Sequence, residues 1–218
     1  MPSHKVHIGI GQEVNKELRL DNDLFYIGCI MPDLGKKYFV SHFKKKPREY
    51  DIDEFVKTYY DKDNPVIVGY LVHLLTDEYY NRYTRENKFL FDKNHKLNGI
   101  KMVNKYFFGT PEEATSKKQE GFYDYEYYLL NNKVISKLNY INLEDLPLIN
   151  ECEIDTSYIK EYIDTHNKVV ESDKNKPKYE VFSFEELDEL YKNSIKYIKN
   201  YLHKLNKEVE KPKKLYYN

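Results

Sequence analysis

Tryptophan is absent from this chain of 218 residues and cysteine nearly so, with only Cys29 and Cys152. Two cysteines without C-x-x-C spacing are no disulfide framework, and each reads as an inert buried thiol. No apolar run reaches membrane-spanning length, and Met1-Pro2-Ser3-His4 lacks a basic segment with an apolar core behind it. A cytoplasmic, reducing location is therefore expected. Neither sign of charge dominates, and a formal net charge of −1 argues against a dedicated nucleic-acid surface. Strand alternation never persists and no internal repeat is visible, so the expected fold is all-α, with six or seven helices in a multi-helix bundle. What the chain has in excess is tyrosine, 23 residues, together with lysine and asparagine, which reads as compositional bias more than chemistry. The length suits a single helical domain over 1–218, with one half at about 1–83 and further helices at about 110–209.

The stretch Val66 to Asp77, V-I-V-G-Y-L-V-H-L-L-T-D, is apolar on every side and follows Pro65, which the first turn of a helix tolerates. Such a helix should be buried all round. It nevertheless carries His73 and Asp77 one turn apart on one face, and burying an ionisable group without a partner costs several kcal/mol. Either the two residues hydrogen-bond each other inside the core, or they present an imidazole and a carboxylate to a metal ion. Gly69, one turn earlier on that face, is expected to leave room for a metal or substrate.

Elsewhere, Val6, Ile10, Val14 and Leu18 give helical spacing over His4 to Leu20, with Ser3 as cap and His4 and His7 on one side. Asp21 to Asp23 break that helix. A short apolar run, Leu24 to Met31, ends at Pro32 and is followed at once by Asp33, either a rigidly held ligand or a turn aspartate. Ser41-His42-Phe43 reads as loop. Lys44, Lys45, Lys46 and Arg48 read as a solvated basic run or an attractor of anionic substrate. Asp53 to Tyr60 is a short helix, and periodicity fades from Thr84 to Gly109. Thr110-Pro111-Glu112-Glu113 forms a capping box, Gly121 reads as a gap, and Phe122 to Leu138 as a tyrosine-rich helix. Asp155 caps a helix to Val170, Asp173 to Lys178 is a polar loop, and Ser183 with Glu186 boxes a helix from Phe184 to about Val209. The tail from Lys211 is expected to fray.

His7, Asp33, His42, His73 and Asp77 thus form a set of nitrogen and oxygen donors that suits zinc. The motifs H-x-x-x-G (His7 to Gly11), F-x-x-G-x-x-x-P-D (Phe25 to Asp33), S-H-F (Ser41 to Phe43) and G-Y-L-x-H-L-x-x-D (Gly69 to Asp77) stand in that order. Together, over residues 4–83, this pattern resembles the zinc-dependent phospholipase C-like proteins, related to bacterial zinc phospholipases C and single-strand-specific zinc nucleases. The resemblance implies an all-helical fold and one or two zinc ions. It implies that Asp33, His42, His73 and Asp77 hold one ion, and that His7 holds a second with Asp77 bridging. Asp33 and Asp77 are then the catalytic carboxylates, and the activity is hydrolysis of a small-molecule or lipid phosphoester.

The chain departs from that family downstream. None of His95, His166 and His203 has a glutamate one turn later, so a third zinc is not expected. In the secreted enzymes a free N-terminal amine is a ligand, and His4 is the candidate substitute. A nucleotide phosphohydrolase with an adjacent His-Asp pair is disfavoured, since the sequence has no such pair. The non-enzymatic alternative is a helical binding protein whose metal staples the fold, which a closed coordination sphere would favour.

Overall fold

A computed structural model describes residues 2–46, 49–132, 134–154, 156–171 and 177–209 of the chain. Arg48, Asp155, residues 173–176 and the tail from Lys211 fall outside the described residues. The fold is built around helix α6, Pro65–Asn87, which carries on through Tyr83, as the sequence reading has it, and ends one turn later. Asn64 caps it by accepting from the backbone N–H groups of Val66 and Ile67, and every residue from Val66 to Asp77 is buried.

Three elements from the first part of the chain pack against α6. Helix α1, His4–Leu18, starts at Ser3, whose side chain accepts from the Val6 N–H, and buries Val6, Ile10 and Val14. Helix α2, Asn22–Gly28, is capped by Asp21, so the aspartates that end α1 also start the next helix. A four-residue helix α3, Met31–Leu34, follows with Pro32 in its first turn.

A close helix crossing explains Gly69. A Cβ there would stand 2.1 Å from the Phe25 carbonyl oxygen, and one on Gly28 would stand 2.3 Å from that of Val66. Gly69 and Gly28 are therefore the crossing point of α6 and α2. The space expected for a metal or substrate at Gly69 is filled by the α2 backbone.

Helix α4, Tyr38–Ser41, leads through His42 into a two-stranded ribbon of β1, Lys44–Lys46, and β2, Glu49–Tyr50; helix α5 is Ile52–Tyr59. After α6 the weakly periodic stretch forms a three-stranded antiparallel sheet, β3 Phe89–Phe91, β4 Leu97–Lys101 and β5 Tyr106–Phe108. The protein is therefore mostly helical but not all-α, with nine α-helices among the described residues. The strands escape detection in the sequence because they are only three to five residues long, too short for alternation to show. Ile100 lies opposite both Phe89 and Phe107, and these form the sheet's inner face.

Helix α7, Pro111–Asn131, has the expected capping box at Thr110 and Glu113 but runs straight through Gly121 and stops short of Leu138. Gly121 is a packing contact, since a Cβ there would lie 2.6 Å from the Phe182 ring. Helix α8, Thr156–Glu171, and helix α9, Phe184–Val209, complete the helical set. Glu186 closes the α9 capping box onto Ser183 and also takes both hydrogen bonds from buried Lys88, each 2.9 Å, which ties α9 to the end of α6.

Gly69→Ala tests the crossing. Alanine gains about 1 kcal/mol of helix propensity, but the clash is with backbone, and overpacking of this kind costs about 1–3 kcal/mol or more. The expected outcome is net destabilisation in urea unfolding; a variant as stable as the parent would show that α2 and α6 do not meet there.

Candidate metal centre

Six side chains converge where α1, α3, α6 and the turn after α4 meet. His73 leaves α6 with Nδ1 2.8 Å from the Cys29 carbonyl oxygen. A carbonyl can only accept, so Nδ1 carries the hydrogen and the Nε2 lone pair faces inward. His42 repeats the device: Nδ1 lies 2.7 Å from the Tyr38 carbonyl oxygen, which again turns Nε2 inward. Around it, Ser41 donates to the Pro32 carbonyl at 2.7 Å, and the Tyr70 hydroxyl donates to the Ser41 carbonyl. Phe43, the next residue, takes a left-handed φ of 49°. That conformation costs a non-glycine residue about 1–2 kcal/mol, and it holds the turn while the Phe43 ring packs against Phe55 and Tyr70.

The result is two imidazole Nε2 atoms only 3.2 Å apart. With both Nδ1 hydrogens committed to carbonyls, two lone pairs at that distance repel unless a cation lies between or beside them. Two carboxylates complete the arrangement. His42 Nε2 is 3.1 Å from Asp33 Oδ1 and 3.5 Å from Asp77 Oδ2, and His73 Nε2 is 4.0 Å and 3.5 Å from the same atoms. Ligand atoms bound tetrahedrally to zinc at roughly 2.0–2.1 Å stand about 3.3 Å from one another. These separations bracket that value, and two imidazoles with two carboxylates are a zinc-type donor set.

The outer oxygens of both carboxylates point to α1. Asp77 Oδ1 lies 3.4 Å from His7 Nε2, and Asp33 Oδ2 lies 3.0 Å from His4 Nε2. His7 stacks on His73 with ring centroids 3.8 Å apart and planes 9° from parallel. Neither nitrogen of His7 and neither oxygen of Asp77 has a hydrogen-bond partner among the described residues, although all four are buried. An unsatisfied buried group costs about 1–3 kcal/mol and a charged one more. These atoms fit a metal ion, which would satisfy them together.

Charge follows the same geometry. Burial opposes the charged form of Asp33, but His73, His4 and His42 hold its carboxyl well below the usual range. Asp77 is held low against its burial by His73 and His7. Burial also works against a charged His73, yet Asp33 and Asp77 raise it, whereas burial and then His73 push His7 down to about 4. His7 is therefore neutral at physiological pH, the form that ligates metal.

Solvent reaches the cluster at one edge. His7, His42, His73 and Asp77 are fully buried, while Asp33 keeps 13% of its side-chain exposure and His4 34%. The other candidate residues pair locally or lie exposed. Lys44 donates to the Tyr38 hydroxyl, Lys45 pairs with Asp51 and Lys46 with Glu49. His166 is buried and bonds to the Ser136 carbonyl oxygen, and His95 and His203 are exposed. Tyr125 bonds to Asp188 and stacks with Tyr128, a packing role. The thiols of Cys29 and Cys152 are buried and free, and burial pushes both upward from their ordinary range.

What sequence reasoning misses are the orienting carbonyls of Cys29 and Tyr38, which carry no side-chain signature. No family model, curated protein or solved structure matches this chain. Among the described residues no helix is long and apolar enough to cross a membrane.

Protein purified without a metal-affinity tag should carry zinc, measured by inductively coupled plasma mass spectrometry. His73→Ala should lose most of it and His203→Ala none. Equal metal content in the parent and His73→Ala would place the ion elsewhere.

Proposed function

We propose that the protein is a zinc-dependent phosphoester hydrolase, similar in its site to the zinc phospholipase C-like proteins. The observation that carries this reading is the pair of inward Nε2 atoms of His42 and His73 at 3.2 Å, flanked by the carboxylates of Asp33 and Asp77. Asp33, His42, His73 and Asp77 would hold one ion, and His7 with Asp77 a second, with His4 and Asp33 beside them.

Bound zinc lowers the pKa of a coordinated water towards neutrality and offsets negative charge on a phosphoryl oxygen. The protein residues do the rest. Cys29 and Tyr38 fix the ring orientation of two ligands through their carbonyls, as a ligating histidine requires. The ring pair His7 and His73 is fully buried, so a substrate would approach over the exposed members of the cluster, Asp33 and His4. Substrate chemistry is set at that edge: a small-molecule or lipid phosphoester whose phosphoryl group reaches the outer carboxylate oxygens.

A structural metal is the second reading, and one observation favours it. The position between His42, His73, Asp33 and Asp77 is enclosed by four protein donors, and catalytic zinc keeps an open coordination position. Under the hydrolase reading the open position belongs to the His7 and His4 side, where the cluster meets solvent.

Turnover separates the two. Zinc-loaded protein should hydrolyse bis(p-nitrophenyl) phosphate or a short-chain phospholipid and lose that activity to a chelator. Asp77→Asn should lower kcat about 100-fold or more. Full zinc content and chelator-sensitive stability, without turnover of any phosphoester, would leave the fold-staple reading.

A further inference from the structure

The exposed edge of the cluster has a third group that neither motif nor metal accounts for. Tyr162, on α8, packs its ring against His4 with centroids 4.9 Å apart and lies 6.0 Å from the His166 ring on its other side. Its hydroxyl is buried and has no hydrogen-bond partner among the described residues. A phenol is both donor and acceptor, and leaving one unpaired costs about 1–3 kcal/mol. Tyr125 and Tyr70 pair their hydroxyls with Asp188 and the Ser41 carbonyl, whereas the buried Tyr191 hydroxyl, like that of Tyr162, has no partner among the described residues.

The surroundings say what the missing partner is. Lys5, next to His4, pairs with Glu126 at 3.3 Å. Both line a cleft of about 710 Å³ together with Lys117, Glu120, Asp124 and Glu180, and Tyr162, His4 and Asp33 are not part of its lining. The Tyr162 hydroxyl belongs instead to the edge of the cluster, beside His4. An anionic oxygen is the complement of an unpaired hydroxyl donor there.

We infer that Tyr162 contacts the substrate, its hydroxyl donating a hydrogen bond to a phosphoryl oxygen that enters over Asp33 and His4. This rests on the hydrolase reading. No bond is made or broken at Tyr162; it holds the phosphoryl group at the edge and keeps its proton throughout.

Tyr162→Phe removes the hydroxyl and keeps the ring that packs on His4 and His166. With zinc-loaded protein, inorganic phosphate binding by calorimetry and kcat/KM on bis(p-nitrophenyl) phosphate should each fall about 10- to 100-fold, since a hydrogen bond to a charged group is lost. Zinc content and thermal midpoint should match the parent, which a merely structural tyrosine would not leave intact while phosphate binding fell. Tyr158→Phe, an exposed position one turn earlier, should change nothing. Unchanged phosphate binding and kcat/KM in Tyr162→Phe would overturn the inference, as would zinc-loaded parent protein that does not bind phosphate. Loss of zinc in Tyr162→Phe would also overturn it, by making the residue a support for the ligands. Failure of the underlying reading is visible separately, as parent protein that binds no zinc or, loaded, turns over no phosphoester.

Discussion

Two imidazole lone pairs cannot face each other at 3.2 Å in a sealed interior without a positive charge, and the first half of this fold is built so that they do. Each imidazole is turned inward by a carbonyl, that of Cys29 for His73 and that of Tyr38 for His42. Neither carbonyl can be reoriented cheaply. Cys29 follows the α2 helix pinned at the Gly28 and Gly69 crossing, and Tyr38 lies in the turn held by Ser41, Tyr70 and the left-handed Phe43. Backbone packing thus fixes the electrostatics of the site before any ion arrives, which is preorganisation in its plainest form.

The same constraint accounts for the placing of the carboxylates. Asp77 is on the buried face of α6 one turn from His73, and Asp33 sits in a four-residue helix bound through Pro32 to Ser41. Each offers one oxygen to the His42 and His73 side and the other to a histidine of α1. The His42 and His73 side is thus enclosed by fully buried side chains, while Asp33 and His4 stand at the exposed edge.

Much of this was legible in the residues, for identifiable reasons. The α6 and α9 helices announce themselves through Pro65 and through the Ser183 and Glu186 capping box, both local signals. The donor set was legible because charge on an apolar helix, and an aspartate straight after a buried run, conflict with burial unless something pairs with them. Four features were not. The β3–β5 sheet packs through strands too short to show alternation. Gly121 looks like a helix break but is a contact with Phe182, and Gly69 looks like space for a ligand but receives α2. Tyr162 lies more than a hundred residues from His4 in sequence, and only tertiary packing brings them together.

X-ray absorption at the zinc edge, on protein purified without a metal-affinity tag, tests the central claim most directly. The account predicts a first shell of nitrogen and oxygen at about 2.0–2.1 Å, with outer-shell scattering from at least two imidazoles. An all-oxygen shell without imidazole scattering, or protein that retains no zinc after reconstitution, would contradict it and leave the facing histidines to be held by a proton alone.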